Sequence, residues 1–81
     1  MLSFLQDGVT TKSDVEQKID QKPTVWAGGR VWTLKIGKDS DGFYPYRPAN
    51  GWAGVRYSLV LEFDQQDVLH RHGLVDVKAG P

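Results

Sequence analysis

One stretch constrains this chain more than any other. Residues 55–63 read V-R-Y-S-L-V-L-E-F. Val55, Tyr57, Leu59, Leu61 and Phe63 alternate with Arg56, Ser58, Val60 and Glu62. Period-two alternation with β-branched and aromatic bias specifies a half-buried β-strand. Its apolar face needs a cover, so the rest of the chain is read for elements able to provide one.

The chain is 81 residues long, which predicts a single small domain over 1–81 with frayed ends at 1–3 and 78–81. A domain this size hides roughly 60–65% of its unfolded surface, so its core is thin. The chain has no cysteine, so neither a disulfide nor a thiolate metal site can staple it. Ten basic and ten acidic residues cancel. That balance argues against nucleic acid as a partner, because such binders carry a basic stripe. No apolar run reaches the ~20 residues of a membrane span.

Before the strand, Leu2 and Leu5, or Phe4 and Leu5, can dock as one helical turn, which Asp7-Gly8 ends. Thr10 or Thr11 can cap a helix N-terminus, and with Thr11 as cap Asp14, three residues on, takes a capping-box-like position. Val15 and Ile19, four apart, share one face of a helix over about 12–20. Pro23 stops it by disfavouring helical geometry at Lys22. A helix so short must pack on a sheet to persist.

Gly28-Gly29 reads as a tight turn. Trp32, Leu34 and Ile36 then alternate with Val31, Thr33 and Lys35 as a first strand. Residues 37–51, rich in Gly, Pro, Asp and Asn, read as a long loop. Asp64-Gln65-Gln66-Asp67 is a polar break of hairpin length. Val68-Leu69 and Leu74 to Val77 form a third strand, with a bulge expected near Gly73. The expected fold is an α+β two-layer domain, one or two short N-terminal helices on a three-stranded antiparallel meander.

Few residues point to chemistry. His70 and His72 could share a strand face, but zinc needs a third ligand, so no metal is expected. Asp39/Asp41 and Asp64/Asp67 fall in turns, where aspartate serves local backbone hydrogen bonds. No nucleophile elbow or phosphate loop occurs. No enzyme, no cofactor and no small-molecule substrate are therefore expected. The candidate protein-binding residues are Phe43, Tyr44, Tyr46, Arg47 and Trp52, because aromatics and arginine are enriched at binding hot spots. Pro45 and Pro48 restrict that loop and lower its ordering cost.

The order of these signals resembles the SmpA/OmlA family. These are small bacterial outer-membrane lipoproteins that include an accessory subunit of the β-barrel assembly machine. The residues that carry the likeness are Leu5-Gln6-Asp7-Gly8-Val9-Thr10, Val15, Ile19 and Pro23, then Gly29-Arg30-Val31-Trp32-Thr33-Leu34. Leu59 to Asp64 and Val68-Leu69 complete it. The resemblance implies a non-enzymatic accessory domain of a cell-envelope lipoprotein that supports outer-membrane assembly or integrity. It implies a protein partner in the envelope and a periplasmic, outer-membrane-associated setting, with membrane contact only through a lipid anchor that this cysteine-free chain does not carry. β-Lactamase inhibitor proteins are similar in architecture, so a secreted enzyme inhibitor is an alternative. A cytoplasmic binding domain is another, if no signal segment precedes Met1.

Overall fold

The computed structural model describes residues 4–48, 51 and 54–77. Helix α1 (Lys12–Lys18) is followed by strands β1 (Thr24–Trp26), β2 (Val31–Asp39), β3 (Gly42–Pro45), β4 (Tyr57–Phe63) and β5 (Leu69–Asp76). All pair antiparallel in one five-stranded sheet of order β1-β2-β4-β5, with β3 also on β2.

This corrects the expected α+β two-layer domain with a three-stranded meander. The domain is richer in sheet, with five strands and one α-helix among the described residues. Two elements account for the difference. β1 pairs Thr24, Val25 and Trp26 with Thr33, Trp32 and Val31. The expected loop over 37–51 is instead partly sheet. β2 runs on to Asp39, turns at Ser40-Asp41, and returns as β3, with Lys38 opposite Phe43 and Gly37 opposite Tyr44.

The helix begins as its residues dictate. The Thr11 hydroxyl accepts from the Asp14 N–H at 3.1 Å, and the Asp14 carboxylate accepts from the Thr11 N–H at 3.0 Å. Such a cap stabilises by about 1 kcal/mol. Val15 and Ile19 lie buried in the core cluster beside Trp32, Leu34, Ile36, Leu59, Leu61, Phe63 and Leu69. Each fully buried aliphatic chain contributes roughly 1.5–3 kcal/mol relative to exposure. Register explains the shared face: Trp32 stands opposite Leu61, Leu34 opposite Leu59 and Ile36 opposite Tyr57. Trp32 and Phe63 meet edge to face at 5.1 Å, and the Lys12 ammonium lies 5.5 Å and 5.4 Å from their ring centroids.

Leu5 is buried and Phe4 packs against the core. The segment after them crosses the outer edge of β5. The Gly8 N–H donates to the Leu69 carbonyl at 2.7 Å, and the Leu69 N–H donates to the Thr10 carbonyl at 2.6 Å. Thr10 is itself buried; its hydroxyl accepts from the Gln6 N–H and donates to the Phe4 carbonyl. The third strand also departs from expectation. β5 is continuous through Gly73, and the irregularity lies where Glu62 faces Arg71 while Phe63 faces Leu69, leaving His70 as the extra residue. The frayed ends expected at 1–3 and 78–81 lie outside the described residues.

Candidate functional site

The sheet has two faces, and α1 covers only one. On the other, alternation places Val31, Thr33, Lys35 and Gly37 of β2, Ser58, Val60 and Glu62 of β4, and Arg71, Gly73 and Val75 of β5. Rows run straight across the strands: Thr33, Val60, Gly73 and Lys35, Ser58, Val75. Apart from Lys35, uncharged residues hold the middle of this face. Val75 is 52% exposed.

Two aromatics stand at its ends. Trp26, opposite Val31, is 55% exposed, and its indole N–H donates to the Thr33 hydroxyl at 3.0 Å. That bond fixes the indole beside β2 instead of leaving it to swing. Tyr44 is 36% exposed at the far end. It lies over Gly37 so closely that a Cβ there would come within 2.5 Å of the Tyr44 ring carbon Cζ. Glycine at this position is what lets the ring lie down.

An ion pair crosses the face from β4 to β5. Arg71 Nε lies 2.7 Å from Glu62 Oε2. That hydrogen bond holds the Glu62 carboxyl below its usual value, and the charges of Arg71, His70 and Arg30 add to the pull. The same contact raises Arg71 above its ordinary value.

The five sequence-predicted residues do not form one site. Phe43 turns to the core, edge to face with Tyr57 at 5.4 Å and under the Lys38 ammonium at 5.2 Å. Tyr44 joins the helix-free face. Tyr46, edge to face with Tyr44 at 6.4 Å, and Arg47 line a groove of about 650 Å³ whose walls include Ile19, Pro23, Val25, Trp32 and Pro48. There Arg47 pairs with the Asp20 carboxylate at 2.6 Å. Trp52 lies outside the described residues.

That groove sits where the edge of β2 lacks a strand partner, between β1 and β3. Gln21 fills the gap. Its carboxamide oxygen accepts from the Lys35 N–H at 2.7 Å, and its nitrogen donates to the Lys35 carbonyl at 2.9 Å and to the Tyr46 carbonyl at 3.3 Å. The amide thus stands in for the peptide group of a missing strand residue.

The histidines part company at the bulge. His72 Nδ1 meets Asp7 at 2.7 Å, while His70 lies near Glu62. Among the described residues no group of three His, Cys, Asp or Glu is placed to hold a metal ion. No described helix is long and apolar enough to cross a membrane. Asp39 and Asp64 spend their carboxylates on backbone N–H groups of their own turns.

Trp26 and the Val31, Thr33, Val60 and Val75 surface were missed as binding candidates. The available signal was Val31, Thr33 and Val60 on strand positions otherwise reserved for charge. No family model matches the chain, and neither a similar curated protein nor a similar solved structure is found.

Proposed function

We propose that this chain is a non-enzymatic protein-binding domain that works through the helix-free face of its sheet. One observation carries the reading. A half-exposed tryptophan, held by its own hydrogen bond, stands at the end of a sheet face whose centre is valine, threonine, serine and glycine with Lys35. Pre-oriented aromatic anchors beside apolar surface are the residues on which protein association depends most. The polar groups support the same reading, because Asp39 and Asp64 sit in turn hydrogen bonds while Asp67 and Asp20 pair with Lys12 and Arg47.

The proposed wider role is accessory, supporting outer-membrane assembly or integrity in a bacterial cell envelope. That setting rests on the order of the sequence signals alone. Selection of a random peptide library against the purified domain tests the binding reading. Recovered peptides should bind the wild type and lose affinity at least about tenfold for Trp26→Ala. Glu16→Lys, on the helix side, should leave them unaffected. A library that yields no peptide sensitive to Trp26→Ala overturns the proposal.

A further inference from the structure

The two margins of the sheet differ in length. β1 and β3, which share one margin, have three and four residues, while β5 at the opposite margin has eight. The Val77 N–H donates to the Arg56 carbonyl at 2.7 Å, so Val75 and Gly73, two and four residues earlier, also turn their backbone groups toward β4. The N–H and C=O groups of His72, Leu74 and Asp76 then point away from the sheet. None of them has a backbone partner among the described residues, and the backbone bonds of the N-terminal segment reach β5 only at Leu69. Two side-chain features mark what this open margin accepts. The row Thr33, Val60, Gly73 ends at a residue where a Cβ would meet nothing within 4 Å. Beside that empty seat lie Val60 on β4 and the exposed Val75. Asp76 is exposed too, and among the described residues no cation pairs with its carboxylate.

Beyond the reading built on Trp26, we propose that the β5 margin takes up an extended segment of another protein as an added antiparallel strand. That segment carries an aromatic residue opposite Gly73 and, three residues before it, a lysine or arginine opposite Asp76. Strand addition satisfies the outward amides and carbonyls as the ladders inside the sheet do, and the side chains beside them set the choice of partner. A ring laid across an edge glycine restores the packing that glycine forgoes, and here it comes to rest on Val60. Opposite charges directly across a strand pair are favourable. A second copy of this chain fits less well. β5 holds no aromatic residue to fill the seat at Gly73. Two-fold pairing about Leu74 also sets Asp76 opposite the second copy's His72, whose Nδ1 is already engaged by Asp7 at 2.7 Å, which brings acid toward acid.

The test is fluorescence anisotropy with a labelled short peptide of threonine and valine that carries lysine and, three residues on, tryptophan. It should bind the purified domain saturably. The same peptide N-methylated at the lysine amide and at every second amide after it keeps all its side chains but cannot donate to β5. It should bind at least about tenfold more weakly. Alanine in place of the tryptophan should cost about two- to fivefold. Gly73→Leu, whose side chain takes the seat itself, should erase that difference. Glutamate in place of the lysine should weaken binding by a similar factor, and Asp76→Lys should reverse the order of those two peptides. Circular dichroism checks that both variants fold, and the changes made in the peptide carry the test if either does not. Equal binding of the methylated and unmethylated peptides, a tryptophan preference that survives in Gly73→Leu, or a dimer of the domain in sedimentation that the peptide dissolves overturns the inference. Failure of the Trp26 selection leaves these outcomes readable, because β1 and β5 lie three strand spacings apart, roughly 14 Å.

Discussion

Replacing Gln21 by glutamate gives the sharpest test of how this fold is closed. The wild-type carboxamide offers one acceptor to the Lys35 N–H and two donor contacts, to the Lys35 and Tyr46 carbonyls. Glutamate keeps the acceptor and loses both donor contacts. Its second oxygen then faces carbonyl oxygens at the positions where the amide nitrogen sits 2.9 and 3.3 Å away. Each lost part-buried bond costs about 1 kcal/mol, and a carboxylate set against carbonyl oxygens adds a desolvation penalty of about 1–2 kcal/mol. The expected loss is roughly 2–4 kcal/mol, or on the order of 10–20 °C in Tm for a domain this small. Gln21→Ala should cost less, about 1–2 kcal/mol, because water can enter and satisfy the freed groups. Urea unfolding followed by tryptophan fluorescence reads both values. The pH dependence of Gln21→Glu carries a sign. The folded site favours the protonated acid, which can donate, so the carboxyl's folded pKa lies above its unfolded value. The penalty is therefore small below the ordinary carboxylate range and grows as pH rises through it. A Gln21→Glu protein within about 0.5 kcal/mol of wild type at neutral pH, with no such pH slope, would refute the strand-substitute reasoning.

Gly37→Ala should destabilise by about 1–3 kcal/mol through its clash with the Tyr44 ring, and adding Tyr44→Ala should recover part of that loss in a double-mutant cycle of unfolding free energies. Ala27→Gly should be stabilising by up to about 1 kcal/mol in chemical denaturation, because Ala27 sits at φ 51°, a left-handed conformation that costs a residue with a Cβ. Thr11→Ala should lower stability by about 1 kcal/mol and fray α1, visible as faster amide exchange at Asp14. In wild type the depressed Glu62 pKa gives stability present above the unfolded carboxylate value and lost as pH falls through the folded one; Arg71→Ala should move the Glu62 titration upward in an NMR pH series.

What could be read in advance was whatever depends on neighbours along the chain. The capping box at Thr11 and Asp14 follows from two residues three apart, and Val15 and Ile19 reach the core as their spacing requires. The apolar faces of β2 and β4 follow from alternation, which also separates Leu59 and Leu61 from Val60 and Glu62. Short strands were not legible. β1 has three residues, too few for a period, and β3 lies amid glycine, proline and aspartate that locally favour turns. Both exist because β2 offers them an edge, which is a tertiary cause. Gln21 carries no local signal at all, since its role depends on Lys35 and Tyr46, fourteen and twenty-five positions away. The aromatic loop is unusual in residue type, but residue type could not reveal that Phe43 turns to the core while Tyr44 and Tyr46 meet edge to face. Imperfect alternation predicts a bulge near Gly73, yet His70 takes it, close to the hairpin at 64–67, whose Asp67 adopts φ 63°.

The N-terminal segment across β5 bears on how the molecule behaves in company. Edge strands with unpaired amides recruit copies of themselves, and a flat valine-bearing surface beside such an edge would encourage that. Gly8 and Thr10 engage the backbone of Leu69, and Asp7 reaches His72, so the first part of that rim is already spoken for. A chain trimmed through Thr10 would uncover it, and would also take Leu5 and Phe4 away from the core. Such a shortened protein should self-associate in sedimentation at concentrations where the intact one stays monodisperse, which makes these few residues a guard against polymerisation as much as a piece of the fold.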